Sequence, residues 1–247
     1  MFVFPMMGIS RRFTEAGYAQ HKYMLPLHGR SVLHHVVESF QHYRQEDEFI
    51  FICRQDAHET RFIRQVLDDL GVAHYRLAEL PHPTQGQAQT VSMGLEAVGT
   101  HADEEVYIFN IDTMRPGFIK PSASDLGDGY LEVFQGTGSH WSFVLPGAQR
   151  QVLLTTEKER ISDLCSDGLY YFRRKAWFDQ AFKLAQSRQL LSRGEYYIAP
   201  LYNHLIEQGL RIKYGEIEAH EVIFCGTPQE YEALNPVTST QPPKVLP

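Results

Sequence analysis

The sequence predicts a three-layer α/β/α fold, a mixed sheet with helices on both faces, joined to a small antiparallel layer. Three observations carry this prediction. The first half of the chain alternates short apolar runs with amphipathic helical runs. The second half drops that rhythm for apolar or alternating segments set between glycine-rich turns. And 43% hydrophobic content over 247 residues is enough apolar mass to close one large core. Alternating strand and helix signals imply parallel strands covered on both faces, whereas strands joined by tight turns imply antiparallel pairing.

The elements follow in order. Residues 2–7 read as a buried strand. Residues 31–43 place Val32, Val36, Val37 and Phe40 at helical spacing. Residues 49–53 are a second strand. Residues 58–70 form a helix with Phe62, Ile63, Val66 and Leu70 on one side. A short strand at 74–77, a helix at 87–98 and a fourth strand at 106–109 complete the first half. In the second half, 130–135, 141–145, 151–155 and 168–172 are strands. Helices at 175–185 and 196–208 follow, then strands at 211–214 and 221–225 and a closing helix at 228–234. A single domain over 1–235 is expected. The tail 236–247 carries Pro236, Pro242, Pro243 and Pro247 and is expected to be poorly ordered.

Composition narrows the function classes. A net charge of −7 argues against a protein that coats nucleic acid. It does not exclude a phosphate-bearing substrate, because a local Arg/Lys cluster can hold phosphates inside an acidic protein. Cys53, Cys165 and Cys225 are far apart and lack metal or disulfide spacing. The apolar start has no basic leader or cleavage site, and no apolar run is long enough to span a membrane. A cytoplasmic location with reduced thiols is expected.

Ligands of parallel α/β sheets gather at the carboxyl ends of the strands. Three loops lie there: 8–22, 82–86 and 110–117. The first holds Gly8-Ile9-Ser10-Arg11-Arg12-Phe13 and then Lys22. A small residue after a buried strand lets backbone N–H groups approach phosphate oxygens. Arg12 offers a fork of donors, and Lys22 returns a second positive charge. The spacing is neither a Walker loop nor a dinucleotide fingerprint. Taken alone, it reads equally as a solvated surface loop. In the third loop, Asp112 follows the apolar run Val106–Phe109, where one carboxylate can bind Mg²⁺; an aspartate there also suits a turn. In the second loop, Thr84-Gln85-Gly86-Gln87-Ala88 opens a helix. Its glycine and amides suit a flat base, or simply a helix start after a Pro-rich turn. Glu157-Lys158 follows a strand and could meet a hydroxyl and a phosphate.

Together these residues resemble the nucleotide-sugar pyrophosphorylase superfamily of sugar-phosphate nucleotidyltransferases. Gly8-x-Ser10-Arg11-Arg12-Phe13 resembles its opening loop, with His21-Lys22 in place of Pro-Lys. Tyr23-Met24-Leu25-Pro26-Leu27 resembles the strand that follows. Asn110-Ile111-Asp112-Thr113 resembles its metal-binding aspartate, and Glu157-Lys158 its Glu-Lys-Pro element. Gly168-Leu169-Tyr170-Tyr171-Phe172 and Gly226-Thr227-Pro228-Gln229-Glu230-Tyr231 resemble two later motifs. The matches run in order from about residue 2 to residue 234. A closer likeness is to a branch from bacterial capsule clusters, some members of which look like cytidylyltransferases.

The resemblance implies a Rossmann-like, GT-A type fold whose antiparallel layer binds substrate. It implies transfer of a nucleoside monophosphate, from CTP by preference, to a phosphorylated sugar or similar small acceptor, with pyrophosphate released. Arg12 and Lys22 would be catalytic and Asp112 would hold Mg²⁺. Gly8, Ser10, Arg11, Gln85 and Gly86 would bind nucleotide. Trp141, Ser142, Glu157, Lys158 and Glu195 would bind the acceptor. The partners are thus a nucleoside triphosphate and a small phosphorylated acceptor, with no nucleic acid and no membrane. A homo-oligomer is compatible with the sequence. One departure stands out: Phe224 occupies the position of a second metal-binding aspartate, so that Glu221 or another carboxylate would have to substitute. A GT-A glycosyltransferase and a non-catalytic nucleotide-binding protein are the alternatives.

Overall fold

The computed structural model describes residues 1–235; the Pro-rich tail lies outside the described residues. In chain order the elements are β1 (Phe2–Pro5), α1 (Arg11–Glu15), β2 (Pro26–Leu27), β3 (Arg30–Ser31), α2 (Val32–Glu38), β4 (Phe49–Arg54) and α3 (Ala57–Asp69). They continue with β5 (Tyr75–Leu80), α4 (Gln87–Ala97), β6 (Val106–Phe109), β7 (Thr113–Met114), α5 (Ala123–Leu126) and β8 (Gly129–Gln135). Then come β9 (Ser142–Pro146), β10 (Val152–Glu157), β11 (Leu164–Phe172), α6 (Lys175–Ser187), α7 (Tyr202–Glu207), β12 (Ile212–Ile217), β13 (Ile223–Phe224) and α8 (Pro228–Leu234).

Strand alternation sorts the core into two layers. Phe2, Phe4, Phe49, Phe51, Tyr107 and Phe109 point to one face and pack against α2 and α3. Val3, Ile50, Ile52, Val106 and Ile108 point to the other, against α4, α6 and α7. Period-2 side-chain direction on strands buried from both sides produces this division. Gly94 of α4 lies so close to Ile52 that a Cβ would come within 2.4 Å of it, so the helix sits directly on the sheet.

The parallel part of the sheet runs β5-β4-β1-β6. The chain enters at β1, steps outward to β4 and β5, and returns to the other side of β1 as β6. The crevice outside the carboxyl ends of β1 and β6 is therefore a topological switch point, where such folds bind ligands. The sheet becomes mixed beyond β6. β11 pairs antiparallel with β6 through Leu169–Phe172, and with β9 through Cys165. Along its other edge it pairs with β8, with a register shift between Ser166 and Tyr170. β9 and β10 form an antiparallel pair, and β12 adds parallel to β8. The expected antiparallel layer is thus continuous with the main sheet, through β11.

Several expected boundaries change. The strand expected at 23–27 is reduced to Pro26–Leu27, because Lys22–Met24 forms a 3₁₀ turn. The helix expected at 196–208 begins only at Tyr202, after a 3₁₀ turn over Ala199–Leu201. Pro200 suits the first turn of a helix and not its interior. The strand expected at 221–225 is reduced to Ile223–Phe224, and its two-residue partner β7 is new, too short for periodicity to show.

Candidate active site

The three loops predicted at the strand ends converge on one cleft of about 580 Å³, a size ordinary for small-molecule sites. The β1 loop supplies Gly8, Arg12 and Lys22; the β5 loop supplies Thr84 and Gly86; the β6 loop supplies Asn110 and Asp112. The antiparallel layer closes the far end with Trp141, Ser142 and Glu157, and the segment after α6 adds Glu195.

The closest charged contact joins the first and third loops. Lys22 Nζ lies 2.5 Å from Asp112 Oδ2, and both side chains are about one-fifth exposed. The loop that carries Lys22 is tightly folded. Ser10 adopts left-handed backbone geometry (φ 51°) and starts α1. Its Oγ accepts the Lys22 N–H at 3.2 Å. Arg12 points to the cleft without a hydrogen bond or ion pair among the described residues. Arg11 does not reach the cleft. Its guanidinium pairs with Glu15 at 2.7 Å on the exposed face of α1, outside the cleft wall.

Asp112 is fixed from the C-terminal end of the chain. β13 pairs with β7, and the Cys225 N–H donates to the Asp112 carbonyl at 2.8 Å. Gly226 follows, where a Cβ would come within 2.8 Å of Asp112 Oδ2. Thr227 and Glu230 form a capping box on α8, and the Glu230 carboxylate accepts the N–H groups of Gly226 and Thr227 at 2.9 Å. Phe224 turns its ring to Trp141 (centroids 4.8 Å apart) and Phe134 (5.1 Å), with His140 over Trp141. Glu221, the expected substitute ligand, pairs instead with Arg115 at 3.3 Å and is not part of the cleft wall.

Among the described residues no group of three or more His, Cys, Asp or Glu side chains converges. Asp112 is a single carboxylate facing the cleft beside Lys22. Mg²⁺ is commonly held by one or two carboxylates plus substrate phosphates, so this donor set fits an ion that arrives with a triphosphate.

The loop predicted for the base is held by the segment after Glu195. Tyr196 N–H donates to the Gln85 carbonyl at 2.9 Å, and Ala88 N–H to the Tyr196 carbonyl at 3.0 Å. Gly86 has φ 102°, and a Cβ would lie 2.7 Å from the Tyr196 backbone. That contact alone requires glycine at this position. The Gln85 side chain is absent from the cleft wall.

At the far end, Ser142 donates to Glu157, which burial pushes above the usual carboxylate range against the opposing effects of Ser142 and Lys158. Lys158 is one layer back: its ammonium reaches the Tyr197 hydroxyl and lies 3.6 Å from Glu157. The Tyr197 ring, not Lys158, lines the cleft.

Gln87, Asn110, Gly226 and Glu230, each part of a motif noted in the sequence but not singled out as a site residue, line the cleft, as do Asp167 and Tyr197. Gln87 and Asn110 are hydrogen-bonded at 2.5 Å across its floor. Asp167 lies at the β11 register shift and is 1% exposed. Burial, then the neighbouring Glu132, push its carboxyl well above the usual range. The Thr-x-x-Glu pattern of 227–230 was a readable capping signal.

No family model and no curated protein matches the chain. Solved structures do. The nucleoside-diphosphate-sugar pyrophosphorylase from Vibrio cholerae is 47% identical, over 95% of this chain and 99% of its own, with a TM-score of 0.90. A UDP-glucose pyrophosphorylase complexed with UDP-glucose is 13% identical with a TM-score of 0.74, over 95% of this chain and 96% of its own. The inositol-1-phosphate CTP transferase from T. maritima is 14% identical with a TM-score of 0.69, over 98% and 97%. The last two share the fold. Identity at the first level over nearly the whole of both chains, with the strand-end loops brought to one cleft, shows that this chain belongs to the nucleoside-diphosphate-sugar pyrophosphorylase family of nucleotidyltransferases.

Proposed function

We propose that the protein transfers a nucleoside monophosphate from a triphosphate to a small phosphorylated acceptor, a sugar phosphate or a similar compound, and releases pyrophosphate. CTP is the favoured donor, and precursor synthesis for a surface polysaccharide in the cytoplasm is the favoured setting; both rest on the sequence resemblance. The observation that carries the reading is the Lys22–Asp112 contact at the switch point. It sets the cation of the phosphate loop against the strand-end carboxylate, where a triphosphate and its metal would meet.

The chemistry needs positioning and charge compensation more than covalent help. An acceptor phosphate oxygen forms a bond to the α-phosphorus as the bond to the β-phosphate oxygen breaks, and pyrophosphate leaves with the electron pair. Both reactants are anions, so Arg12 and Lys22 offset their repulsion. Gly8, with open space beside its Cα, leaves room for phosphate oxygens near the loop backbone. Asp112 would hold Mg²⁺, which supplies Lewis-acid neutralisation of the triphosphate when bound. Ser142, Glu157 and Glu195, with the Trp141 ring, would take the acceptor. Lys158 would act through Tyr197.

The test is a pyrophosphate-release screen of the four common triphosphates against phosphorylated sugars, alcohols and amides. Lys22→Ala and Asp112→Ala are each expected to lower kcat/KM by on the order of 10²–10³ with melting behaviour retained. Near wild-type release from Lys22→Ala would overturn the phosphate-loop assignment. Release of nucleoside diphosphate from an added nucleotide sugar, with no pyrophosphate from any triphosphate, would point to glycosyl transfer.

A further inference from the structure

Behind the phosphate loop lies a buried polar chain that the reaction as described does not use. Glu59 sits in the first turn of α3 and is 6% exposed. It is not needed as a cap, because Asp56 accepts the first N–H groups of that helix. Both carboxylate oxygens reach into the β1 loop instead. Oε1 is 2.9 Å from His21 Nε2, and Oε2 accepts the Tyr23 hydroxyl at 2.8 Å. Glu59 therefore grips the residues on either side of Lys22. The His21 and Tyr23 rings are parallel, with centroids 5.6 Å apart. The other ring nitrogen of His21, Nδ1, faces Ser10 Oγ at 3.5 Å, the same oxygen that accepts the Lys22 N–H.

Ser10 Oγ thus sits between the His21 ring and the Lys22 N–H, and Glu59 Oε1 holds the opposite nitrogen of that ring, so one buried carboxylate fixes the ring that faces Ser10. The remaining charged or titratable groups around the pair are Asp56, Arg54 and Cys53, with Lys22 in the same loop.

We propose that Glu59, His21 and the Ser10 hydroxyl are positioning residues that hold Lys22 in register for the triphosphate, an inference that rests on the nucleotidyl-transfer reading.

A double-mutant cycle tests this on the full chain, with the triphosphate identified by the screen. Ser10→Ala and Glu59→Gln are each expected to raise the KM for triphosphate about tenfold, with the KM for acceptor unchanged. The double variant is expected to match the worse single, because the two act through one relay. Additive effects, or an unchanged triphosphate KM in either single, would overturn the proposal. If Glu59→Gln does not fold, His21→Gln takes its place in the cycle with the same criteria. Calorimetric titration with Mg²⁺ and triphosphate reads the same cycle as Kd. A wild type that binds triphosphate but releases no pyrophosphate overturns the activity while leaving the relay to be judged on those Kd values.

Discussion

Lys22 and Asp112 touch although 90 positions separate them, and around them the individual side chains divide by charge economy. Gly8, Arg12, Gly86, Trp141, Ser142, Glu157 and Glu195 were picked from residue type and place, and all line the cleft. Arg11 was picked by proximity in sequence and turns outward, because Glu15 one helical turn on offers a partner at 2.7 Å. Asp167 was illegible, since Ser-Asp-Gly reads as a turn and becomes instead a buried irregularity within β11. Its carboxyl and that of Glu59 predict opposite pH effects. Asp167 is raised above the ordinary 3.8 by burial; it contributes stability in full below that pH and loses it as pH rises through the folded value. Asp167→Asn keeps the shape without the ionisation. It is expected to raise the Tm near pH 7 by about 2–4 °C and flatten its decline above pH 4, as measured by thermal melts across pH. Glu59 is held below its ordinary 4.5, with His21 and Tyr23 outweighing burial. Its contribution is present above that pH and is lost as the solution becomes acidic, so Glu59→Gln is expected to lower the Tm at neutral pH and to converge with wild type in acid.

Elements were legible where apolar periodicity ran long enough, as in α3 and α4 and in the strands of the parallel sheet. They were not legible where pairing is set by distant chain. β7 and β13 have two residues each and exist because they pair; their register places Phe224 against Trp141 and Gly226 against Asp112. β11 looked like a short strand from Gly168, yet it extends back to Leu164 and joins β6, β8 and β9. The irregularity that lets it do so centres on Gly168, with φ 98° and Asn110 Nδ2 only 2.1 Å from where a Cβ would stand. Gly168→Ala is therefore expected to push Asn110 away from Gln87, to destabilise the protein by about 1–3 kcal/mol, and to lower kcat/KM. Gly71→Ala, with φ 65° and nothing within 4 Å, is the matched control. It is expected to cost only the backbone strain, about 1 kcal/mol, with kcat/KM unchanged. Denaturant melts and pyrophosphate-release kinetics on both variants check this.

At the scale of the molecule, the strand order β5-β4-β1-β6 fixes the switch point independently of any side chain. The cleft draws on residues from Pro5 to Glu230, so ligand binding reports on the whole fold. Triphosphate with Mg²⁺ at about a hundred times its Kd is expected to add about 2.7 kcal/mol of stability. A thermal shift assay should show this as a rise of about 5–10 °C that is absent in Lys22→Ala. The Lys22–Asp112 contact has a further thermodynamic meaning. In the empty cleft each charge already satisfies the other, so a cation alone must compete with an ammonium, and an unchelated triphosphate must draw Lys22 from its carboxylate. Arriving together, the two ligands share the cost of that separation. Their affinities are then linked: magnesium tightens nucleotide binding by the same factor by which nucleotide tightens magnesium binding, and neutralising Asp112 should erase the reciprocity.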